Sequence, residues 1–254
     1  MAAVANESIF PSTGCNDELP SSPYGVPAVT ALRSAAGGWG SGNIFDVRTD
    51  SIDERSLSAV VFDVGGVLLD WDPRHLYRKL ISDPAELDWF LANVCTPQWH
   101  AEHDRGLSTA ESCAALADEW PQYAGLILAW SERGEEMVAG PLPDGVQLLR
   151  QVIGTGLPCY ALTNMEAETY PGRVARYDFL RCLAGAVVSG FEGIAKPDRE
   201  IYELLLRRFG LDAATTLFID DSAANVSAAA EAGMQAMLYS GPEPVLARLG
   251  LLAS

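Results

Sequence analysis

Five short apolar runs, most of them followed by a polar residue suited to chemistry, constrain this chain more than any other feature. They are "AVVF" (59–62), "PCYALT" (158–163), "AGAVVS" (184–189), "TTLFID" (215–220) and "QAMLY" (235–239). Runs of this length, rich in Val, Ile, Leu and Phe without alternation, read as strands buried on both faces, the signature of parallel sheets. Helical patterns separate the later runs. In 198–210, Ile201, Leu204, Leu205 and Phe209 recur at helical spacing before the stop signal Gly210, and a second helix over 223–233 ends at Gly233. Strand followed by helix, repeated, predicts an α/β fold with a doubly wound, parallel, Rossmann-like sheet. In such sheets ligands bind beyond the carboxyl ends of the strands, so the residues just after each run are where function is sought.

One interval breaks the pattern. A strand–helix–strand crossover takes roughly 30 residues, yet about 95 separate the first run from the second. Helix formers fill the excess, as in "PRHLYRKLI", "PAELDWFLANVC", "TAESCAALADEW" and "AGLILAWSERGEEMV". The reading is a core of residues 57–73 and 141–254 with an inserted helical cap at 74–140, hinged beside the functional edge. Residues 1–56, rich in Ser, Pro, Gly and Ala with no sustained period, are expected to be a largely disordered extension.

Composition narrows the partners. The 34 acidic residues outnumber the 17 basic ones, for a net charge of −17; this argues against nucleic acid or an anionic membrane, whose binding needs basic patches. No apolar stretch approaches the ~18 residues of a membrane span. The five cysteines are scattered without a CxxC pair, which predicts free thiols in a reducing compartment and, with no secretory signal at the start, a cytoplasmic location. Only two of the basic residues are lysines, Lys79 and Lys196.

Asp63 follows the first run, Thr163 and Asn164 the second, Lys196 stands ahead of the helix after the third, and Asp220 and Asp221 close the fourth, with Asn225 just beyond. Each has a plain structural reading: a turn residue, a helix N-cap, a solvated charge, a partner for a helix dipole. Their convergence on one sheet edge favours a functional reading.

"FDVGGVLLDWD", "ALTN", "AKPDREIY" and "FIDDSAAN" resemble, in order and spacing, the four motifs of haloacid dehalogenase-like hydrolases, and the helical insertion resembles that family's class-one cap. The resemblance covers about 57–240 and is nearest the sugar-phosphate phosphatase branch with an FDxGxV first motif. It implies that Asp63 is the nucleophile, that the Thr163 hydroxyl and the Asn164 amide hold the transferring group, and that Lys196 pairs with the nucleophile. It also implies Mg²⁺ held by Asp63, the Gly65 carbonyl, Asp221 and Asp220, with Asn225 behind them. Charge points the same way, since three carboxylates at one edge repel and a hard divalent cation with Lys196 offsets them.

The expected activity is Mg²⁺-dependent hydrolysis of a small anionic phosphorylated metabolite, a sugar phosphate among the candidates, through an aspartyl-phosphate. Gly65 departs from the phosphatase pattern, which has at this position a second Asp that protonates the leaving group. Two alternatives follow: a metal-independent 2-haloacid dehalogenase working through an aspartyl ester, and a non-catalytic member that binds a phosphorylated ligand or a protein. In the cap, "TPQWHAEHDRGLST" (96–109) concentrates Trp99, His100, His103, Asp104 and Arg105; His103 and Arg105 are expected to reach the substrate. Asp70 and Asp72, in "DWDPR", are the candidates for a substitute proton donor.

Overall fold

The computed structural model describes residues 56–252. Its core is a five-stranded sheet of β1 (Ala59–Phe62), β4 (Cys159–Thr163), β5 (Gly185–Val188), β6 (Thr216–Asp220) and β7 (Gln235–Leu238). The order is β5-β4-β1-β6-β7, and every pairing is parallel. All five strands coincide with the apolar runs to within two residues at either end. The predicted α/β, doubly wound class is the class observed.

Alternation along the strands divides the core into two layers. Val60, Phe62, Ala161, Leu217 and Ile219 face Leu148, Leu149 and Val152 of α6 (Pro143–Gly154) and Val245 of α11 (Pro242–Arg248). Val61, Leu162, Val187 and Phe218 face Ile201, Tyr202 and Leu205 of α9 (Arg199–Phe209) and Ala229 of α10 (Ala223–Glu231). Gly210, in the left-handed region at φ 64°, terminates α9 as its position predicts. Burying side chains as large as Phe62 and Phe218 completely makes each layer costly to disturb, roughly 3–5 kcal/mol for truncation of either to Ala.

The insertion is a separate helical body with its own core. Helices α1 (Arg74–Tyr77), α2 (Pro84–Asn93), α3 (Pro97–His103), α4 (Thr109–Glu119) and α5 (Ala124–Glu132) bury Leu76, Tyr77, Phe90, Cys113, Ile127 and Trp130 together. Sequence caps set their limits: Asp83, Thr96 and Ser108 each accept a hydrogen bond from the first turn of α2, α3 and α4. An antiparallel ribbon of β2 (Leu69–Trp71) and β3 (Val138–Pro141), not anticipated from the sequence, joins cap to core. β3 crosses the expected boundary at 140/141 and β2 ends just before the one at 73/74, so cap and core are joined by a paired ribbon instead of two free linkers. The short helices α7 (Tyr170–Arg176) and α8 (Ser189–Glu192) lie after β4 and β5.

Cys95, Cys113 and Cys159 are buried free thiols, as expected. Cys182 departs from that expectation, being disulfide-bonded, and Cys15 lies outside the described residues. The anticipated N-terminal extension, up to residue 55, lies outside them as well. No helix among the described residues is long and apolar enough to cross a membrane.

Candidate active site

Parallel strands deliver Asp63, Thr163, Lys196, Asp220 and Asp221 to one edge, and the geometry there is specific. Asp63 follows β1, with its amide still bonded to the Ile219 carbonyl at 2.9 Å, so it inherits the position of the sheet. The Lys196 ammonium, almost fully buried, lies 2.8 Å from Asp63 Oδ1 and 2.7 Å from Asp220 Oδ2. Asp63 Oδ1 also accepts from the Val64 amide at 2.6 Å, which leaves Oδ2 as the oxygen engaged by neither group. Asp220 is spoken for on both oxygens: Oδ1 accepts from the Ser222 amide and from Asn225 Nδ2, and Oδ2 accepts from Asn225 Nδ2 and Lys196. Asn225, expected behind the metal, therefore holds Asp220.

Asn164 pins the lysine from the other side. Its Nδ2 donates to the Lys196 carbonyl at 2.9 Å and its Oδ1 accepts from the Lys196 amide at 2.8 Å. The Thr163 side chain, 1% exposed, lies at the end of β4 on the cavity wall.

Burial is the main force on the charges here. It pushes the Asp63 carboxyl up to about 7, with Asp220 adding to the rise and Lys196 opposing it. Burial alone would lower Lys196, but Asp63 and Asp220 outweigh it and hold the ammonium above its ordinary value. Asp221 is raised by burial and then by Asp220. Asp63, Asp220 and Asp221 each bring a carboxylate oxygen within 4.8 Å of the others, an all-oxygen set that suits a hard cation such as Mg²⁺. Gly66 makes room for that set. It sits at φ 70°, and a Cβ there would lie 2.0 Å from Asp221 Oδ2, so no larger residue fits beside the carboxylate.

The edge opens into a cavity of about 400 Å³ between core and cap, a size suited to a small metabolite. Gly65, Gly66, Thr163, Asn164 and Asp221 form its floor; Leu69, Trp71 and Val138 of the hinge and Met165 add apolar wall; His100, Asp104, Glu166 and Arg173 add polar groups. Trp71 stacks on His100 with ring centroids 5.0 Å apart.

The two cap residues expected to reach substrate are placed otherwise. Arg105 turns away to pair with Asp198 of the core, and His103 is fully buried, edge-on to Trp99 with centroids 4.4 Å apart. Neither lines the cavity. His103 packs inward on α3 against Trp99, and Arg105 lies beyond the end of that helix. Asp70 and Asp72 are also absent from the lining; Asp70 meets His75 at 3.0 Å, and Asp72 accepts from the Arg74 amide. Glu166 and Arg173 were missed, although the polar run directly after Asn164 marked a loop at the functional edge.

A family model for haloacid dehalogenase-like hydrolases matches residues 57–233. The chain belongs to that family. Among relatives of this hydrolase, the sesquiterpene phosphatase astK of Aspergillus oryzae is 29% identical over 180 residues, covering 70% of this chain and 88% of that protein. The GMP/IMP nucleotidase YrfG of Escherichia coli is 26% identical over 190 residues, covering 71% and 82%. Among solved structures, a predicted HAD-like family hydrolase from Porphyromonas gingivalis superposes with a TM-score of 0.59 at 18% identity, over 78% of this chain and all of that one. At that identity the likeness speaks for the fold of this hydrolase alone.

Proposed function

We propose that the protein is a Mg²⁺-dependent phosphohydrolase of a small phosphorylated metabolite, working through an aspartyl-phosphate on Asp63. The observation that carries this reading is the Lys196 ammonium fixed between Asp63 and Asp220 while Asp221 faces the cavity beside them. Asp63 and Asp221, with the Gly65 carbonyl, are the groups that would hold Mg²⁺, and Asp220 supports them by holding Lys196. When bound, the ion offsets the charge that otherwise sets an anionic nucleophile against an anionic phosphate.

The chain's own residues supply the rest. Asp63 Oδ2 attacks phosphorus, the bond from phosphorus to the leaving oxygen breaks, and water then cleaves the acyl phosphate to release inorganic phosphate and the free carboxylate. Lys196 and the Thr163 hydroxyl stabilise charge on the phosphoryl oxygens. Gly65 has no proton to give, so turnover favours leaving groups that depart as stable anions, a phosphate above an alkoxide. Arg173, buried with Glu135 as its partner at 2.6 Å, adds a cation to the cavity wall for a second anionic group. The apolar wall of Leu69, Trp71, Val138 and Met165 favours a hydrocarbon body over a sugar, in keeping with the substrate class named for the Aspergillus relative.

Gly65 also suits the dehalogenase reading, since halide leaves without a proton. Against it stands Asp221, an acid that a metal-free site has no use for. The test is phosphate release from isoprenoid mono- and diphosphates, nucleoside monophosphates and sugar phosphates, with Mg²⁺ and with EDTA. Release from the diphosphate that EDTA abolishes is expected. Halide release from a 2-haloacid in EDTA, or no turnover of any phosphate by folded protein, overturns the proposal.

A further inference from the structure

A second cluster of ligand-type side chains lies where cap meets core, and the chemistry proposed above does not use it. His100 and His103 project from α3 of the cap, and Glu166 comes from the core loop after β4. One ligand atom from each lies within 4.8 Å of the others. His103 is fully buried, yet neither of its ring nitrogens has a hydrogen-bond partner, and Nδ1 of His100 is buried without one too.

That is an unusual thing to bury. A neutral imidazole carries one donor and one acceptor, and leaving either unmet in the interior is costly. The edge-on contact with Trp99 can satisfy the donor of His103 through the indole π face. It cannot satisfy the acceptor, which remains a lone pair with nothing to receive.

We propose that His100, His103 and Glu166 form a second metal site, for a borderline first-row divalent ion of the zinc type, that ties the cap to the core. Two imidazoles and a carboxylate are the ligand set of such ions and a poor set for Mg²⁺, which takes oxygen. Bonds of about 2.1 Å in a tetrahedral site put ligand atoms roughly 3.4 Å apart, so the cluster closes by about an ångström of side-chain movement. Asp104, whose Oδ2 lies 3.9 Å from His100 Nε2, is placed as the outer carboxylate that steadies a ligating histidine. His100 and Glu166 both line the cavity, so the open coordination position faces the substrate space.

The test uses the full chain stripped of metal and then held in millimolar Mg²⁺, so that the all-oxygen site is occupied. Zn²⁺ is titrated by calorimetry, and Co²⁺ is followed by its visible ligand-field absorption. One equivalent of Zn²⁺ is expected to bind despite the Mg²⁺ and to raise the melting temperature, and Co²⁺ is expected to give the spectrum of a nitrogen-ligated ion. Binding should weaken about tenfold or more in His103→Gln, and likewise in Glu166→Gln, whose partly exposed position spares the fold. It should survive Asp221→Asn. Zn²⁺ binding that Asp221→Asn removes and Glu166→Gln leaves intact belongs to the carboxylates and overturns the proposal, as does wild-type protein that takes up no Zn²⁺ in Mg²⁺. None of these readouts requires turnover, so failure of the phosphatase reading leaves the site standing or falling on its own.

Discussion

Two polar clusters face one cavity, and they are buried on opposite terms. In the core, Asp63, Lys196 and Asp220 answer one another: the ammonium bridges two carboxylates, the Val64 amide adds a bond to the same Asp63 oxygen, and the Ser222 amide and the Asn225 side chain hold Asp220. In the cap seam, His100 and His103 are buried with three ring nitrogens unanswered. The first arrangement is electrostatically complete apart from the oxygens aimed at the cavity, which is how a preorganised reacting site is built. The second is incomplete, and the ion proposed above would complete it. On the two proposals above, the contrast separates a site that reacts from one that receives an ion.

The sharpest way to break the core cluster is Asp63→Asn. It removes the attacking oxygen while the amide keeps a similar shape, so phosphate release should fall by roughly a thousandfold or more with little change in fold; residual turnover near wild type, measured beside an unchanged circular dichroism spectrum, would remove Asp63 from the nucleophile's role. Lys196→Met acts on stability instead. It strands Asp63 and Asp220 together in the interior, and breaking a buried pair in this way costs roughly 3–5 kcal/mol. Urea unfolding of the metal-free variant should show that loss, and Mg²⁺ should restore part of it by taking over charge the lysine had balanced. Lys196→Arg should not restore turnover, because a planar fork does not replace a point charge held at 2.7–2.8 Å from two acids.

Titration separates the two clusters further. Asp63, and Asp104 beside the cap histidines, are raised to about 7 by burial. A raised carboxyl contributes stability that is complete below its unfolded value near 4 and is lost as pH climbs to about 7. His100 and His103, lowered to about 4, have the opposite sign: their contribution is complete above about 6.5 and is lost as pH falls towards 4. In EDTA the two trends oppose each other in the wild-type protein between about pH 4.5 and 6.5, with Asp221, also raised, on the side of the carboxyls. Relative to wild type, Asp63→Asn removes one raised carboxyl and should tilt stability upward with pH over that window, whereas His103→Gln removes one lowered imidazole and should tilt it downward. Equal slopes in the two variants would show that the clusters are not buried on different terms.

The core cluster was legible in the sequence and the cap cluster was not, for a physical reason. Asp63, Thr163 and Asp220 sit at or just beyond strand ends, and a parallel sheet fixes where strand ends go; Lys196, beyond α8, is brought to them by the Asn164 side chain that pairs with its backbone. Asp220, implied as a metal ligand by the resemblance, has its oxygens engaged by Lys196, Asn225 and the Ser222 amide, a division of labour that depends on tenths of an ångström. On α3 the direction of a side chain depends on which face of a short helix turns inward, and that is decided by packing against Trp130 and the hinge residue Trp71. So the sequence shows that the segment concentrates polar groups, while packing decides that His100 and Asp104, and not His103 or Arg105, line the cavity. The ribbon of β2 and β3 escaped for a similar reason: at three and four residues, with Gly140 and Pro141 in one strand, neither carries a strand's pattern.

The smallest effect belongs to the residue that crosses between the regions. Arg105 of the cap pairs with Asp198 at the head of α9, and both side chains are about a third exposed, so the pair is worth less than ~1 kcal/mol to global stability. Arg105→Ala should therefore leave urea unfolding almost unchanged. Its location gives it a second role that stability does not report. Next to it, Gly106 brings the cap loop so near the core that a Cβ there would sit 3.1 Å from the Gly190 carbonyl, and Arg173 meets Glu135 across the same boundary. Loosening one of these fastenings should favour the open cap and raise KM for a cavity-filling substrate a few-fold while leaving kcat almost unaltered, because nothing that touches the phosphoryl group has moved. If Zn²⁺ ties cap to core through His100, His103 and Glu166, the rise in KM should shrink when the ion is bound, since the metal then holds what the ion pair held. An Arg105→Ala effect on KM that is the same with and without Zn²⁺ would mean that the two fastenings act on different motions.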